Sequence, residues 1–408
     1  MATKAEGYSQ LLKNRRFVFL WSSGSVGDAG YAVYSISVLW LSYQLSGSLL
    51  VSGLVLFAEF GIYALSFIAG PFVDRVADLR TVLLIGYPLQ GLTAAAIGWA
   101  TLSGHLTVPL LLALIVTISF IWDFTWTASQ SALPRVVTHD QLFRANGLTS
   151  ALSGGNQIAG FAVGGVLILI TGPGGGALLM AALMGVSAIL SIPVSAPAPK
   201  DAKDHPLFQD FTDGWKHLMA EPGRPLMQLA VFSALQAFFS GAPALIITLA
   251  SSTVFTNSST AYAVLFTAFM AGGLVGGLVL GQANPRRHLT ALLVGALLAE
   301  GALIVLTLRL SPNLLESAIG WFTVGMFDVA FYTGYIAYLQ AKTPDGMLGR
   351  TTSNMYLFRG TSRATGALLV GALAFLGVMS LGMMVAVVFI AVAVISPLAL
   401  PAVRNLEF

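Results

Sequence analysis

The stretch 142-LFRANGLTSALSGGNQIAGFAVGG-165 returns in altered form as 348-LGRTTSNMYLFRGTSRATGALLVG-371. At an offset of 206, Arg144 falls on Arg350, Gly154 on Gly360, Gly160 on Gly366 and Gly165 on Gly371. Just upstream, 122-WDF-124 lies opposite 327-FDV-329, which sets Asp123 against Asp328 at an offset of 205. Self-similarity at half the chain length marks an architecture of duplicated halves. Matching aspartates in the two copies point to segments that face a shared interior.

The composition says where such halves reside. Of 408 residues, 56% are hydrophobic and only 9% charged, with a mean hydropathy of +0.82. Soluble domains carry about 25% charged residues, so this chain cannot cover a water-facing surface in the ordinary way. Runs such as 160-GFAVGGVLILI-170 and 381-LGMMVAVVFIAVAVI-395 recur along it, and about 20 such residues cross a hydrocarbon core of roughly 30 Å. The chain reads as an all-α polytopic membrane protein embedded in a lipid bilayer. It has no cysteine, which excludes disulfides, thiolate metal sites and thiol nucleophiles. The opening residues MATKAEGYSQLLKNRR lack the pattern of a cleaved signal, so the first apolar segment is expected to remain as a helix.

Apolar runs read against polar breaks give twelve spans: 17–44, 49–72, 81–103, 107–131, 143–170, 175–194, 225–250, 260–282, 289–310, 314–340, 351–376 and 379–402. Of the 20 Lys and Arg residues, 17 fall at the N-terminus, the C-terminus and alternate breaks, including the long one at 195–224. Arg309 alone lies on the opposite side, and Arg359 and Arg363 fall within a span. This asymmetry expects both termini and the central loop in the cytoplasm of a plasma-membrane protein. It also accounts for the net charge of +3 without a nucleic-acid partner. The expected organisation is a six-helix half at 1–194, a linker at 195–224 and a second six-helix half at 225–408. The halves are pseudo-symmetric around a central cavity. Within the linker, Phe208, Phe211, Trp215, Leu218 and Met219 follow helical spacing and read as an amphipathic helix on the membrane face.

Five carboxylates fall inside spans, away from the span ends: Asp28, Glu59, Asp123, Glu300 and Asp328. A central charge costs about 2.5–3.5 kcal/mol on insertion scales, so each needs a partner, a wet cavity or a proton. A dry surrounding favours the protonated carboxyl and a nearby arginine the ionised one. A group caught between the two can load and release a proton. Asp28, Asp123, Asp328 and Glu59 are therefore the candidate proton carriers, whereas Glu300 reads as structural or protonated. Asp28 shares a helix face with Trp21, Ser25, Tyr31 and Ser35. Asp123 shares one with Ser119, Trp126, Thr127 and Gln130, with Trp122 adjacent, and Asp328 lies among Trp321, Phe331, Tyr332 and Tyr335. Rings beside carboxylates suit an amphipathic, particularly cationic, organic ligand; packing between helices is the plainer reading of the same rings. Arg359 and Arg363 share a face at i and i+4. Arg359 could snorkel to the interface, while Arg363 is expected to pair with Asp28 or Asp123 or to hold an anionic group of the substrate.

The loop 70-GPFVDRVADLR-80 resembles the G-x-x-x-D-R-x-G-R-K/R signature of the major facilitator superfamily. Gly70, Asp74 and Arg75 match; Ala77 replaces the second Gly, Asp78 replaces a basic residue, and Arg80 sits one place late. The stretches 27-GDAGYAVYSISVLWLSYQLSGS-48 and 132-ALPRVVTHDQLFRANGL-148 are similar to that superfamily's drug and siderophore exporter branch, the proton antiporters of macrolide-efflux and enterobactin-exporter type. The motif 160-GFAVGG-165 resembles the antiporter pattern with Phe161 in place of Pro. The resemblance implies a conformational latch at Gly70, Asp74, Arg75 and Arg80. It also implies a proton-coupled exporter of small amphipathic molecules working by alternating access, multidrug efflux included. No nucleotide-binding loop follows the glycine runs, so no cofactor is expected and energy must come from a gradient. A monomer is expected. Uptake, symport, lipid or metal-ion transport on the same fold remain alternatives, as does a membrane sensor; an enzyme is not expected, because His is scarce and Cys absent.

Overall fold

The computed structural model describes residues 10–62, 69, 72–73, 76–138, 141–197, 215–216, 218–219, 225–283, 289–310, 313–343 and 348–404. Among these the chain is almost wholly helical. The helices are α1 (Arg15–Ser46), α2 (Leu49–Gly61), α3 (Leu79–Leu102), α4 (Val108–Val136), α5 (Leu142–Thr171), α6 (Gly174–Ser191), α7 (Pro225–Phe239), α8 (Ala242–Thr253), α9 (Ser259–Ala283), α10 (Leu289–Leu310), α11 (Leu314–Lys342), α12 (Leu348–Ala372), α13 (Gly377–Ala399) and the single turn α14 (Pro401–Arg404).

Sequence chemistry sets the ends. Thr107 caps α4 by accepting from the Leu110 amide, and Asn313 caps α11 by accepting from the Leu315 amide at 2.9 Å. Gly172 and Gly377, at φ of +74° and +81°, stop the helices before them in a backbone that side chains disfavour. Asp78, where the resembled signature has a basic residue, caps α3. Its carboxylate accepts from the Arg80 amide at 3.0 Å and from the Ala196 amide at 3.0 Å. Leu79 donates its amide to the Ala196 carbonyl, which also accepts from Arg135 at 3.3 Å. A cation at position 78 could accept neither amide.

Eight stretches of the described chain are long and apolar enough to cross a membrane. They cover α3, α4, α6, α9, α10 and α11, the pair α7–α8, and a run from Asn354 to Ala399 through α12 and α13. The sequence count of twelve also included α1, α2 and α5. Of these, α1 is 32 residues long but diluted by Ser, Gly and Asp28, α2 has only 13 residues, and the apolar part of α5 begins at Gly155.

By packing, the chain forms two compact units: Met1–Leu41 with Leu65–Asp204, and Ser42–Ala64 with His205–Phe408. In the first, α5 lies along α1, and a Cβ on Gly160 would meet the Ala29 carbonyl at 2.9 Å. In the second, α12 lies along α7 with Gly366 against the Phe238 carbonyl. These two glycines are equivalent at the repeat offset, and each admits a close backbone crossing onto the first helix after its own polar lead-in. Without a hydrophobic drive between helices in lipid, such small residues let backbones approach. The run 272-GGLVGG-277 serves the same purpose: Gly276 faces the Met326 backbone of α11, and Gly325 of α11 faces the Phe269 carbonyl of α9. Trp215 of the linker stacks on Phe358 at 5.4 Å and Leu218 is fully buried. This part of the expected amphipathic helix therefore packs on protein; Phe208 and Phe211 lie outside the described residues.

The α9–α11 crossing makes a direct prediction. Gly276→Val should destabilise the protein by about 1–3 kcal/mol, the usual cost of overpacking, and lower Tm in thermal unfolding of the purified chain. Gly277→Ala, whose Cβ would meet Val329 at 3.4 Å, should leave Tm unchanged.

Candidate functional site

In the first unit, α1, α3, α4 and α5 enclose a small cavity of about 60 Å³, room for several waters. Asp28 lines it, with Trp21, Tyr87, Trp122 and Trp126 as aromatic walls. The Ser153 hydroxyl of α5 donates to the Asp28 carboxylate at 2.6 Å, and the Asn156 amide donates to the Ser25 carbonyl at 3.0 Å. Tyr31 stacks on Trp122 with ring centroids 4.3 Å apart. Asp28, Trp122 and Trp126 thus share this cavity, and Tyr31 stands behind its wall through the Trp122 stack. Ser35 is half-buried one turn further along α1 and does not line the cavity.

Asp123 is 3% exposed and lies outside the wall of this cavity, which α4 supplies through Trp122, Thr125, Trp126, Ser129 and Gln130. At about 100° per residue these form one face of α4, and Asp123 falls just beyond its edge. Among the described residues no hydrogen bond or ion pair reaches the Asp123 carboxylate.

In the second unit the arginines of α12 organise a polar interior. Arg359 donates to the Ser233 carbonyl at 3.0 Å and to Gln236 Oε1 at 3.1 Å on α7. Its guanidinium lies 4.9 Å from the Tyr335 ring and 5.5 Å from that of Tyr332, and the Tyr332 hydroxyl meets that of Tyr356 at 3.4 Å. Arg359 is thus held across the α12–α7 pair by protein partners. Arg363 stacks over Phe60 of α2 at 3.8 Å. Asp123 and Asp28, its expected partners, belong to the other unit, and in its own unit Asp328 is one carboxylate within its electrostatic reach. Asp328 also feels Arg359 and, from α10, Glu300. Phe331 is buried edge-on against Phe232 at 5.2 Å, and Tyr335 is fully buried, so these two rings pack the unit while Tyr332 remains exposed. Glu59 is buried within reach of Tyr262.

Sequence reasoning passed over Ser153, Asn156, Tyr87 and Gln236. Ser153 and Asn156 stand inside the repeated stretch, and Ser153 is the repeat equivalent of Arg359. A polar residue within an apolar span was the available signal for Gln236. Glu300, which reads from the sequence as structural or protonated, is 0% exposed. Of the expected latch, Arg80 starts α3, while Gly70, Asp74 and Arg75 lie outside the described residues. No cluster of three or more metal-ligating side chains occurs among the described residues.

Comparison with known proteins gives a consistent picture. The family model described as Major Facilitator Superfamily matches residues 20–367. The chain is 26% identical over 379 residues to the protein named enterobactin exporter EntS of Citrobacter koseri, covering 88% of this chain and 83% of the relative. It is 25% identical over 374 residues to the protein of the same name from Shigella boydii, with the same coverage. Among solved structures it is similar in fold to the nucleoside transporter NupG, with a TM-score of 0.75 at 12% identity over 96% of this chain and 100% of that one. It is also similar to a bacterial homologue of the human lysosomal transporter Spinster, with a TM-score of 0.71 at 15% identity over 98% and 97%.

The arginine geometry carries its own test. Arg359→Ala leaves the buried Gln236 oxygen without a donor and should cost about 1–3 kcal/mol, read as a lower Tm of the purified protein. Arg359→Lys, which keeps the charge but loses the two-pronged reach, should fall between.

Proposed function

This chain belongs to the Major Facilitator Superfamily, a family of membrane transporters and not enzymes, and from that premise we propose that it is a proton-coupled exporter of small amphipathic organic molecules. The observation that carries the reading is Asp28: a carboxylate on a cavity with room for water, oriented by Ser153 and walled by Trp21, Tyr87, Trp122 and Trp126. A carboxylate of this kind can attract an organic cation or a proton, and the rings accept the apolar body of the ligand. Competition of the two for one anionic group is the elementary form of antiport.

The export direction draws support from the relatives named as enterobactin exporters. On this reading Asp328, Asp123 and Glu59 are further proton carriers. Arg359, Arg363 and Tyr332 contact substrate in the second unit, with Ser35, Phe331 and Tyr335 as supports. The loop at Gly70, Asp74, Arg75 and Arg80 latches one of two alternating states. Twelve helices in two six-helix halves, cytoplasmic termini, a plasma-membrane location and a monomeric carrier complete the proposal, and helix rocking between halves supplies alternating access.

The test is transport by the purified chain in proteoliposomes under a pH gradient of either sign. The panel comprises lipophilic cations, macrolides and enterobactin. At least one probe should accumulate against opposite proton flow, and Asp28→Asn should abolish the coupled component. Movement indifferent to the gradient, or normal coupling in Asp28→Asn, would overturn the reading.

A further inference from the structure

Arg359 lies within the long apolar run of α12 and α13, where a cation is costly unless the protein or a ligand answers its charge. Its Nη1 donates to the Ser233 carbonyl at 3.0 Å and its Nη2 to Gln236 Oε1 at 3.1 Å. Ser233 and Gln236 are buried on α7, so the guanidinium is held in one orientation. Both acceptors are neutral. Asp328 on α11 is within electrostatic reach, yet among the described residues Arg359 forms no ion pair with a carboxylate. The side chain is oriented, and its charge is left unmatched by direct contact.

Phenol rings make up the rest of its surroundings. The Tyr335 ring lies 4.9 Å from the guanidinium and the Tyr332 ring 5.5 Å, with the two rings tilted against each other at 6.3 Å. Tyr335 is fully buried and acts as a floor, whereas Tyr332 is 41% exposed. The Tyr332 hydroxyl meets that of Tyr356 at 3.4 Å. Tyr356 and Arg359, at i and i+3, share a face of α12, and both are half-buried. A fixed cation, two phenol hydroxyls and an exposed ring therefore stand side by side on an open patch.

The planar guanidinium fork matches a carboxylate, and such charge-assisted bonds are the strong ones. Phenol hydroxyls donate to the same oxygens, and the exposed ring face offers contact to a flat apolar body. A cationic ligand would be repelled here, and a neutral one would leave the charge of Arg359 unanswered. We propose that the patch binds an aromatic carboxylate, its oxygens on Arg359 and the Tyr332 and Tyr356 hydroxyls and its ring against Tyr332. The proposal rests on the reading above that α11 and α12 contact substrate, and it names the group that they select. A substrate of this class leaves Asp28 to the proton.

The test is equilibrium binding of naphthoate and its neutral isostere naphthamide to the purified full chain in phosphatidylcholine nanodiscs. Naphthoate should bind at least about tenfold more tightly, the worth of a charge-assisted hydrogen bond. Arg359→Gln should erase that preference. Tyr332→Phe, at an exposed position, should keep Tm and weaken naphthoate about threefold or more while sparing naphthamide. Equal binding of the two probes, a preference that survives Arg359→Gln, or naphthoate affinity unchanged in Tyr332→Phe would each overturn the site. Should Arg359→Gln fail to fold, Tyr332→Phe decides alone. Phosphatidylglycerol added to the nanodiscs should leave naphthoate affinity unchanged; competition would assign the patch to a lipid headgroup and overturn the proposal. Binding needs no gradient. Naphthoate held through Arg359 but moved without protons leaves the site standing and defeats the antiport reading, whereas proton-coupled transport with an unselective patch does the reverse.

Discussion

A charge inside a membrane-spanning helix must find its partner within the protein, because lipid offers none. Much of the interior follows from that constraint. Asp28 ties α1 to α5 through Ser153, Arg359 ties α12 to α7 through Ser233 and Gln236, and Arg363 ties α12 to α2 through the face of Phe60. Each tie joins helices that also meet at glycine crossings, at Gly160, Gly366 and Gly53 respectively. Close backbone approach shortens the reach, and the short reach lets one side chain satisfy another. Packing and polarity are thus solved at the same positions.

The repeat sharpens this point. Ser153 and Arg359 occupy one slot at the offset of 206, seven residues before the equivalent glycines Gly160 and Gly366. Both reach the helix that their glycine crosses, Ser153 to Asp28 and Arg359 to Ser233 and Gln236. The geometry of the slot is kept while its chemistry is inverted. In one unit the slot is a neutral donor serving a carboxylate; in the other it is a cation served by neutral acceptors. Duplicated backbones with diverged charges give a carrier two unlike surfaces from one plan.

Much of the helical order was legible in the sequence because unbroken apolar runs can be only one thing at these lengths. The harder segments, α1, α2 and α5, are those where function dilutes the run with Ser, Gly, Asn and Asp. Facing was far less legible. A helix apolar all round has no preferred side, so nothing in 289-LTALLVGALLAEGALIVLTLRL-310 told that Glu300 turns inward. Asp123 and Trp122 both read as facing an interior, and of the two Trp122 lines the cavity of the first unit. Asp78 shows the converse. It departs from the resembled signature, yet its carboxylate caps α3 and pins the chain after α6 through the Ala196 amide, a role invisible until Ala196 is brought beside it.

The carboxylates finally divide by surroundings. Asp28 meets a hydroxyl donor and a cavity with room for water, so it can exchange charge with whatever enters. Glu300 is fully buried, and among the described residues neither of its carboxyl oxygens meets a hydrogen-bond donor. An exposed acid responds to ligand and solvent; a sealed one responds to the field of its neighbours.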